Sequence, residues 1–435
     1  MAVRPKPRAF AAAAMTAVLA LMALMGLVPE ASAAAAILLA TLIAAGRGMA
    51  EASEAILHSL QVKLEASPRS VGEGQPAWVR VRIYNPTERR IPSLLVKLGS
   101  GPRCRLQPNV PVAVSVEPGA ESEILFKAVP APGLHLIGGV ELEAVDLLGF
   151  FGSVRRLDIR VALSATPAVV EGARLPSALR LHGVEEVFSR LVRGRSTEFY
   201  EIREYVPGDD VRRIVWSASA RTGRLMVRED LAELTPSLYV FVDLSEPMWV
   251  GLPGDSPGDH AMRMALSLAL YVGRGSGILG YTVFHGHMWV SRGRLRGSDA
   301  VQELVHRFAS YDPLLSRPRS ALRRALEEAA AMAEAGRIPA LVILSGPMLL
   351  DDFSAEDLAT MLSGYSGYKL LLIIVPSSEV PAGAFSYESR KLEASFDALR
   401  RAGVEASVVR GLAGLRAALQ ALFPAAARMK PARVT

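Results

Sequence analysis

Apolar residues are concentrated at the start of the chain, in runs that cover residues 9–28 and 31–46 and are separated by Pro29 and Glu30. The first run is long enough to cross a bilayer as a helix, whereas the second is shorter and rich in alanine. Basic residues flank the pair on both outer sides, which favours cytoplasmic ends. We therefore predict a multi-pass anchor in the cell membrane over residues 1–50, with the soluble domains in the cytoplasm.

A cleaved signal peptide is the alternative interpretation of this stretch. A basic start, an apolar middle and the small residues Ala31, Ser32 and Ala33 fit that pattern. The first apolar run is longer than a typical signal core, and apolar character resumes directly after the supposed cleavage site. These features favour the helical hairpin over the signal peptide, which would predict a secreted, adhesion-type protein.

Between residues 59 and 165 the apolar positions alternate with a period of two, as in 61–66 and 77–83, and turn signals separate the alternating segments. Short alternating strands with no helical pattern between them are typical of an antiparallel β-sandwich of immunoglobulin-like character. No catalytic grouping accompanies these strands. We interpret this part of the chain as a spacer or an interaction module.

From residue 236 to residue 424, apolar segments such as 238–242, 278–284 and 340–344 alternate with amphipathic helical patterns. This alternation implies a parallel sheet with helices on both faces, so the chain as a whole is predicted to be a multidomain α+β protein. No glycine-rich nucleotide-binding fingerprint follows a predicted strand. Residues 425–435 are predicted to form a disordered tail.

Charge is concentrated in the segment 180–235, which we call the charged segment. Its stretch 193–229 holds fourteen charged side chains, eight of them arginines, interleaved with aromatic residues. We predict that the arginines and acids pair through two-pronged hydrogen bonds, partly covered by the aromatic rings. Such pairs would form a rigid docking surface, or join the sandwich to the α/β domain. The candidate residues are Glu198, Arg203, Glu204, Tyr205, Gly208, Asp209, Asp210, Arg213, Trp216 and Arg221.

The net charge, the single cysteine and the positions of the histidines argue against several classes of function. The 49 basic and 43 acidic residues give a net charge of +6, spread along the chain without a basic stripe, so no nucleic-acid partner is expected. The single cysteine, Cys104, excludes an intrachain disulfide and a cysteine-based zinc site. His285 and His287 alternate on one predicted strand, with no third ligand near them in sequence.

The first strand of the predicted α/β domain ends in Asp243 and is followed by Leu244 and Ser245. Ligands of parallel sheets bind beyond the carboxyl ends of the strands. A carboxylate and a hydroxyl at this place could hold a hard divalent cation through oxygen atoms. The same two residues are equally suited to capping a turn.

The chain resembles the membrane-protein family known as domain of unknown function 58, which carries a von Willebrand factor A-like domain of Rossmann-like type. The residues that carry the resemblance are Gly194, Glu198, Phe199, Arg203, Glu204, Tyr205, Pro207, Gly208, Asp209, Asp210, Arg213, Ile214, Trp216, Ala220, Arg221, Gly223, Arg224 and Leu225. Val215 and Ser217 depart from the family, which usually has an acid and a lysine there. The resemblance implies a scaffold-like partner of a MoxR-type AAA+ ATPase.

The metal-ion-dependent adhesion site of A-like domains is incomplete in this chain. Pro247 stands in place of a serine of the family pattern, and Gly346 stands in place of an acid. Ser320 stands where a threonine is expected. The resemblance therefore implies at best a degenerate magnesium site formed by Asp243, Ser245 and Ser320, and we expect no cofactor.

These observations favour a membrane-anchored interaction protein that is not an enzyme and has no small-molecule substrate. It would work with the MoxR-type ATPase in the assembly or maturation of other proteins. The alternative is a metal-dependent hydrolase that uses the acids of the charged segment, Glu198, Glu201, Glu204, Asp209 and Asp210. The interleaved arginines argue against it, because they compete with a metal ion for the carboxylates.

Overall fold

The computed structural model describes residues 4–26, 29–146, 149–169, 198–206, 211–231, 237–274, 277–376 and 389–422. The chain divides into two compact units, residues 1–166 and residues 167–435. The predicted tail, 425–435, and the start of the charged segment, 180–197, lie outside the described residues.

Two apolar helices, α1 (Pro7–Leu24) and α2 (Pro29–Ser59), form the first part of the first unit. Both are long and apolar enough to cross a membrane, and 11% and 17% of their apolar windows are buried within the protein. Side chains such as Leu24 and Ile37 are exposed. The prediction of two candidate membrane helices is confirmed. α2 continues past the apolar run, because the residues after position 46 form a further amphipathic stretch.

Strands of the first unit are β1 (Arg4–Pro5), β2 (Gln61–Ser67), β3 (Ser70–Gly72), β4 (Ala77–Tyr84), β5 (Ile91–Gly99), β6 (Cys104–Gln107), β7 (Val112–Val116), β8 (Glu121–Pro130), β9 (Gly133–Val145) and β10 (Phe151–Thr166). One sheet has the order β1-β10-β9-β5-β7, with β3 paired to β10, and the other has the order β2-β4-β8-β6. Alternate side chains of both sheets, including Val81 and Leu142, share one apolar core. The predicted antiparallel pairing is therefore present throughout both sheets except between β3 and β10, which are parallel, and the strands obey the period of two.

The last turns of α2 are bound to this core. Ile56 and Leu57 are buried in it. Arg155 on β10 donates from Nη1 to the carbonyl oxygens of Leu57, at 2.5 Å, and Leu60, at 2.8 Å. These bonds satisfy carbonyl groups that have no partner within the helix, and they place a positive charge at its negative end.

The residues that precede α1 contact the same sheet. Arg4 and Pro5 pair antiparallel with β10. The Lys6 ammonium lies 2.8 Å from a carboxylate oxygen of Glu143 on β9. Both outer ends of the helical pair are thus attached to one sheet of the first unit.

The first helices and strands that the structure describes in the second unit are a small antiparallel pair, β11 (Glu198–Glu204) and β12 (Met226–Leu231), with a 3-10 turn (Val211–Arg213) and α3 (Trp216–Thr222) between them. The elements that follow are β13 (Ser237–Asp243), a 3-10 turn (Glu246–Trp249), α4 (Pro257–Arg274), β14 (Ile278–Phe284), β15 (Trp289–Arg296), α5 (Gly297–Ser310), a 3-10 turn (Pro313–Leu315), α6 (Leu322–Ala335), β16 (Ala340–Ser345), α7 (Leu349–Asp352), α8 (Ala355–Met361), β17 (Tyr368–Val375), α9 (Ser389–Arg401), β18 (Glu405–Arg410) and α10 (Gly411–Leu422).

Strands β13 to β18 form one sheet in the order β15-β14-β13-β16-β17-β18, in which β15 is antiparallel and the other pairs are parallel. The helices α4, α5 and α10 pack on one face, and α6, α8 and α9 pack on the other. The prediction of a parallel sheet covered on both faces is confirmed. Because both faces are buried, the central strands are apolar at nearly every position.

We predict that Arg155→Ala releases the last turn of α2 from β10. The change should lower the midpoint of thermal unfolding of the first unit by about 5 °C, because hydrogen bonds from a charged donor contribute about 1.5–3 kcal/mol. Amide hydrogen exchange of the full chain in detergent should accelerate around residues 56–60. Arg156→Ala is the matched control, because the Arg156 guanidinium makes an exposed pair with Glu141. Equal rates of amide exchange around residues 56–60 in the two variants would contradict the proposed role of Arg155 in holding the end of α2.

Candidate functional site

The topology of the second unit points to the carboxyl ends of β13 and β16. The chain runs from β13 to β14 and β15 on one side, and then returns to β16 on the other side of β13. In open α/β sheets, ligands bind at the point where the strand order reverses in this way. Asp243 and Ser345 are the last residues of the two strands and therefore lie at this switch point.

The Asp243 side chain is fully buried at the switch point. Its Oδ1 accepts hydrogen bonds from the Ser245 amide, at 3.0 Å, and from the Ser245 hydroxyl, at 2.5 Å. Its Oδ2 accepts a bond from the Ser345 hydroxyl at 2.7 Å. The Nη2 atom of Arg319 lies 3.0 Å from the same Oδ2. The carboxylate is thus surrounded by hydroxyl groups and one positive charge.

Arg319 joins this cluster to neighbouring segments. Its side chain is only 5% exposed. Nε donates to the Ser245 hydroxyl oxygen at 2.9 Å, and Nη1 lies 3.3 Å from a carboxylate oxygen of Asp352 on α7. The guanidinium is therefore held between two segments that follow strands, the one after β13 and the one after β16. We call Asp243, Ser245, Arg319 and Ser345 the switch-point cluster.

The predicted metal ligands meet this cluster only in part. Asp243 and Ser245 lie together, as their spacing suggested. Ser320 is exposed, and the side chain that reaches Asp243 from that loop is its neighbour Arg319. In the part of the chain that the structure describes, no group of three or more His, Cys, Asp or Glu side chains is placed to hold a metal ion.

Gly346, which stands where the family pattern has an acid, directly follows the cluster. A Cβ atom at this position would lie 3.0 Å from the Met248 sulfur and 3.8 Å from Arg319 Nη2. The glycine thus leaves room for the buried methionine and for the guanidinium.

Aromatic residues close the end of β13. The Trp249 indole and the Tyr311 hydroxyl both donate to the Leu244 carbonyl oxygen, at 3.0 Å and 2.6 Å. The Trp249 and Tyr311 rings lie 5.5 Å apart, and His285 stacks on Tyr311 at 4.8 Å. Burial lowers the pKa of His285 to about 4, so the ring is neutral at pH 7. Three packed rings therefore lie at this part of the sheet edge.

A second polar network fixes the loop that leads into α4. Arg263 Nη1 lies 2.8 Å from His260 Nδ1, and His260 Nε2 lies 2.8 Å from Asp255 Oδ1. A guanidinium only donates, so His260 Nδ1 accepts the hydrogen bond from Arg263. The ring hydrogen is therefore on Nε2, which donates a hydrogen bond to Asp255. Burial lowers the pKa of His260, although Asp255 opposes this effect. Asp259 accepts bonds from Gly254 and Ser256. The polar groups of this network bind one another, which indicates that its role is to hold the loop in place.

The described part of the charged segment, residues 198–206 and 211–231, is a hairpin that we call the signature hairpin. The Tyr205 amide donates to the Leu225 carbonyl at 2.8 Å, and the Val215 amide donates to the Met226 carbonyl at 2.8 Å. The Ser219 hydroxyl accepts from the Met226 amide at 2.9 Å, which ties α3 to β12. The bonds of Val215 and Ser219 connect the backbone around Trp216 to β12, and the Tyr205 bond joins the segments next to β11 and β12.

The predicted interaction residues are placed unequally. Glu204 and Arg224 form an ion pair at 3.1 Å, with both side chains exposed. Arg221 donates from Nε to the Ser217 carbonyl at 3.4 Å. Tyr205 is half-buried. The following lie outside the described residues: the side chains of Glu198, Arg203 and Arg213, and the whole of Gly208, Asp209 and Asp210.

The Trp216 side chain is 68% exposed. Most of this side chain therefore faces solvent. Val206, Val211 and Leu225 on the same hairpin are also exposed. The described surface of the signature hairpin thus presents apolar side chains beside the Glu204–Arg224 pair.

Two of the solved structures that resemble this chain match it weakly. The conserved hypothetical protein BatB from Bacteroides thetaiotaomicron is 14% identical, covers 45% of this chain and 100% of its own, and has a TM-score of 0.30. The PilB minor pilin from Streptococcus sanguinis is 9% identical, covers 77% of this chain and 86% of its own, and has a TM-score of 0.33. At these scores, neither structure adds to the description of the fold.

Sequence comparison gives a more specific match. Uncharacterised proteins of Mycobacterium bovis and Mycobacterium tuberculosis are 32% identical to this chain over 96 residues, which is 22% of this chain. The chain spans 30% of the length of these curated relatives. Residues 201–375 match the family described as "Protein of unknown function DUF58". The resemblance found in the sequence is thereby confirmed for residues 201–375, a range that includes most of the signature hairpin and all of the switch-point cluster.

Proposed function

We propose that this protein is a membrane-anchored interaction protein that has no catalytic activity of its own. In this proposal it works with a MoxR-type AAA+ ATPase in the assembly or maturation of other proteins. The observation that carries the proposal is the exposed apolar surface of the signature hairpin, with Trp216 at 68% exposure. The ATPase is the partner that the family resemblance implies, and it would supply the energy.

An exposed tryptophan on a backbone held by several hydrogen bonds is suited to binding a protein. Tryptophan is enriched among the residues that dominate binding energy, because its large apolar ring fills a pocket of the partner. The neighbouring Val206, Val211 and Leu225 extend the apolar surface, and the Glu204–Arg224 pair supplies polar groups beside it. Such a mixture is typical of protein–protein interfaces.

The hydrolase alternative finds less support. The Glu204 carboxylate already has a cationic neighbour, Arg224, that competes with a metal ion. At the switch point the Asp243 carboxylate is buried against Arg319 and is closed off from solvent. General acid–base chemistry requires a carboxyl group within hydrogen-bond reach of a substrate. The Asp243 carboxyl group lacks that access, and the exposed Glu204 carboxylate is already paired with Arg224.

The finer fold assignments belong to the same proposal. The sheet order β15-β14-β13-β16-β17-β18 with one antiparallel strand supports an α/β domain of von Willebrand factor A type. Two antiparallel sheets around one core support an immunoglobulin-like sandwich. Attachment of residues 4–6 and of the end of α2 to one sheet supports a hairpin that crosses the membrane twice. The basic flanks of this hairpin favour a cytoplasmic location of the soluble domains.

The topology can be tested with right-side-out and inside-out vesicles that contain the full chain with a C-terminal tag. Because both helix ends return to one side, we expect the tag and residues 60–435 to be protected from protease in right-side-out vesicles. The same region should be digested in inside-out vesicles. Detergent-permeabilised vesicles provide the control. Digestion of the tagged region in sealed right-side-out vesicles would contradict the cytoplasmic assignment.

The partner can be tested by crosslinking the tagged full chain in membranes of its native host and quantifying the recovered proteins by mass spectrometry. We expect recovery of a MoxR-type ATPase, and an at least tenfold lower yield with Trp216→Ala, because truncation of a central aromatic residue costs about 2 kcal/mol or more. Trp78→Ala is the matched control, since Trp78 is an exposed tryptophan of the first unit, outside the signature hairpin. Equal yields from the two variants, or recovery of no ATPase, would count against the proposal.

A further inference from the structure

The switch-point cluster contains the kinds of atoms that usually surround a hard cation. One carboxylate and two hydroxyl groups, from Asp243, Ser245 and Ser345, converge at the carboxyl ends of neighbouring strands. Carboxylate and hydroxyl oxygens are ligands that Mg²⁺ accepts. In this chain, however, a guanidinium contacts two of these three groups: Arg319 Nη2 lies 3.0 Å from Asp243 Oδ2, and Nε donates to Ser245 Oγ at 2.9 Å.

From this arrangement we propose that the guanidinium of Arg319 occupies the cation position of the switch point and makes this site independent of metal ions. The proposal goes beyond the docking function, because it concerns how the end of the α/β sheet is held together. It also assigns a role to an arginine that the sequence pattern did not select.

The residues present do not fit a divalent cation. Mg²⁺ requires near-octahedral oxygen ligands at about 2.0–2.1 Å, and a guanidinium that contacts the same carboxylate and hydroxyl takes up that space. To admit the ion, Arg319 would have to leave its contacts with Asp243, Ser245 and Asp352. The position of a second acid is taken by Gly346, where the Cβ atom of any other residue would lie 3.0 Å from the Met248 sulfur.

The local charge agrees with a monovalent cation. Asp243 is fully buried and supplies one negative charge, and Arg319 supplies one positive charge. With Arg319 in place, a divalent ion beside the single buried acid would bring three positive charges to one negative charge, which is costly in a buried site. The glycine at 346 and the arginine at 319 are therefore complementary: the first omits an acid, and the second provides a cation of the matching charge.

The arginine also makes contacts that a small ion could not make. Arg319 lies in the loop that precedes α6. From there its planar guanidinium contacts Asp243 at the end of β13, Ser245 after β13 and Asp352 on α7. These segments converge from both sides of the switch point. Arg319 thus holds these segments together through its ion pairs and hydrogen bond. Because this cation is part of the chain, it stays in place at any Mg²⁺ concentration.

The experiment uses the purified full chain in detergent and follows thermal unfolding by tryptophan fluorescence, with either 10 mM Mg²⁺ or EDTA. For the wild type we expect midpoints that agree within about 1 °C, because a site without affinity gains no ligand stabilisation. Arg319→Met should unfold at a lower temperature in EDTA, since it leaves the buried carboxylate uncompensated. Because it also frees the oxygens, 10 mM Mg²⁺ should raise its midpoint by about 3 °C if the new site has millimolar affinity.

Two further variants complete the design. Arg319→Lys keeps the charge and should remain insensitive to Mg²⁺, so it is informative even if the methionine variant fails to fold. Arg323→Met is the matched control, because Arg323 makes an exposed pair with Asp357 on the adjacent helices; it should behave as the wild type. Stabilisation of the wild type by Mg²⁺, or an Arg319→Met variant that folds but does not respond to Mg²⁺, would overturn the proposal.

Discussion

The constraint on which the α/β unit depends is the burial of the Asp243 carboxylate. A charged group without access to water is stable only when other groups replace its hydration shell. Two serine hydroxyls, one backbone amide and one guanidinium do this for Asp243. Their positions fix the ends of β13 and β16 and the segments that follow them. The same contacts leave the Asp243 carboxylate inaccessible to solvent at the switch point, a place that binds ligands in many α/β proteins.

A comparable use of arginine occurs in the first unit. Arg155 binds the carbonyl groups at the end of α2 and connects an apolar helix to an antiparallel sheet. In both units, therefore, one guanidinium joins segments that are distant in sequence. This accounts for part of the high arginine content: the arginines serve as internal connectors, and the basic excess need not indicate a polyanionic partner.

The sequence predicted the strands of the α/β sheet well, and for a clear physical reason. Strands buried on both faces require continuous apolar residues, so β14 was expected at 278–284 and lies at Ile278–Phe284. The length of α2 was not predicted. The apolar run ends at Gly46, and the charged residues Arg47, Glu51 and Glu54 follow it. The helix nevertheless continues, because Ile56 and Leu57 on its other face pack in the core, a contact that the local sequence does not indicate.

The candidate site was predicted less completely. Asp243 and Ser245 were found because they follow a buried strand within two residues of each other. Arg319 lies 74 residues from Ser245 in sequence, and an arginine at the end of a loop usually reads as a solvated side chain. Ser345 was missed for the same reason, since only the sheet order places it beside Asp243. Contacts of this kind depend on topology, which local pattern does not encode.

The most direct test of the account is a double-mutant cycle on Asp243 and Arg319, with urea unfolding of the α/β unit followed by tryptophan fluorescence of the full chain. Asp243→Asn and Arg319→Met should each lower the free energy of unfolding by about 3 kcal/mol, because Arg319→Met leaves the Asp243 carboxylate without its cation and Asp243→Asn leaves the buried guanidinium with only the exposed Asp352. The double variant should lose at least about 2 kcal/mol less than the sum of the single losses. Losses that add within about 0.5 kcal/mol would show that the two charges do not depend on each other, and would contradict the account.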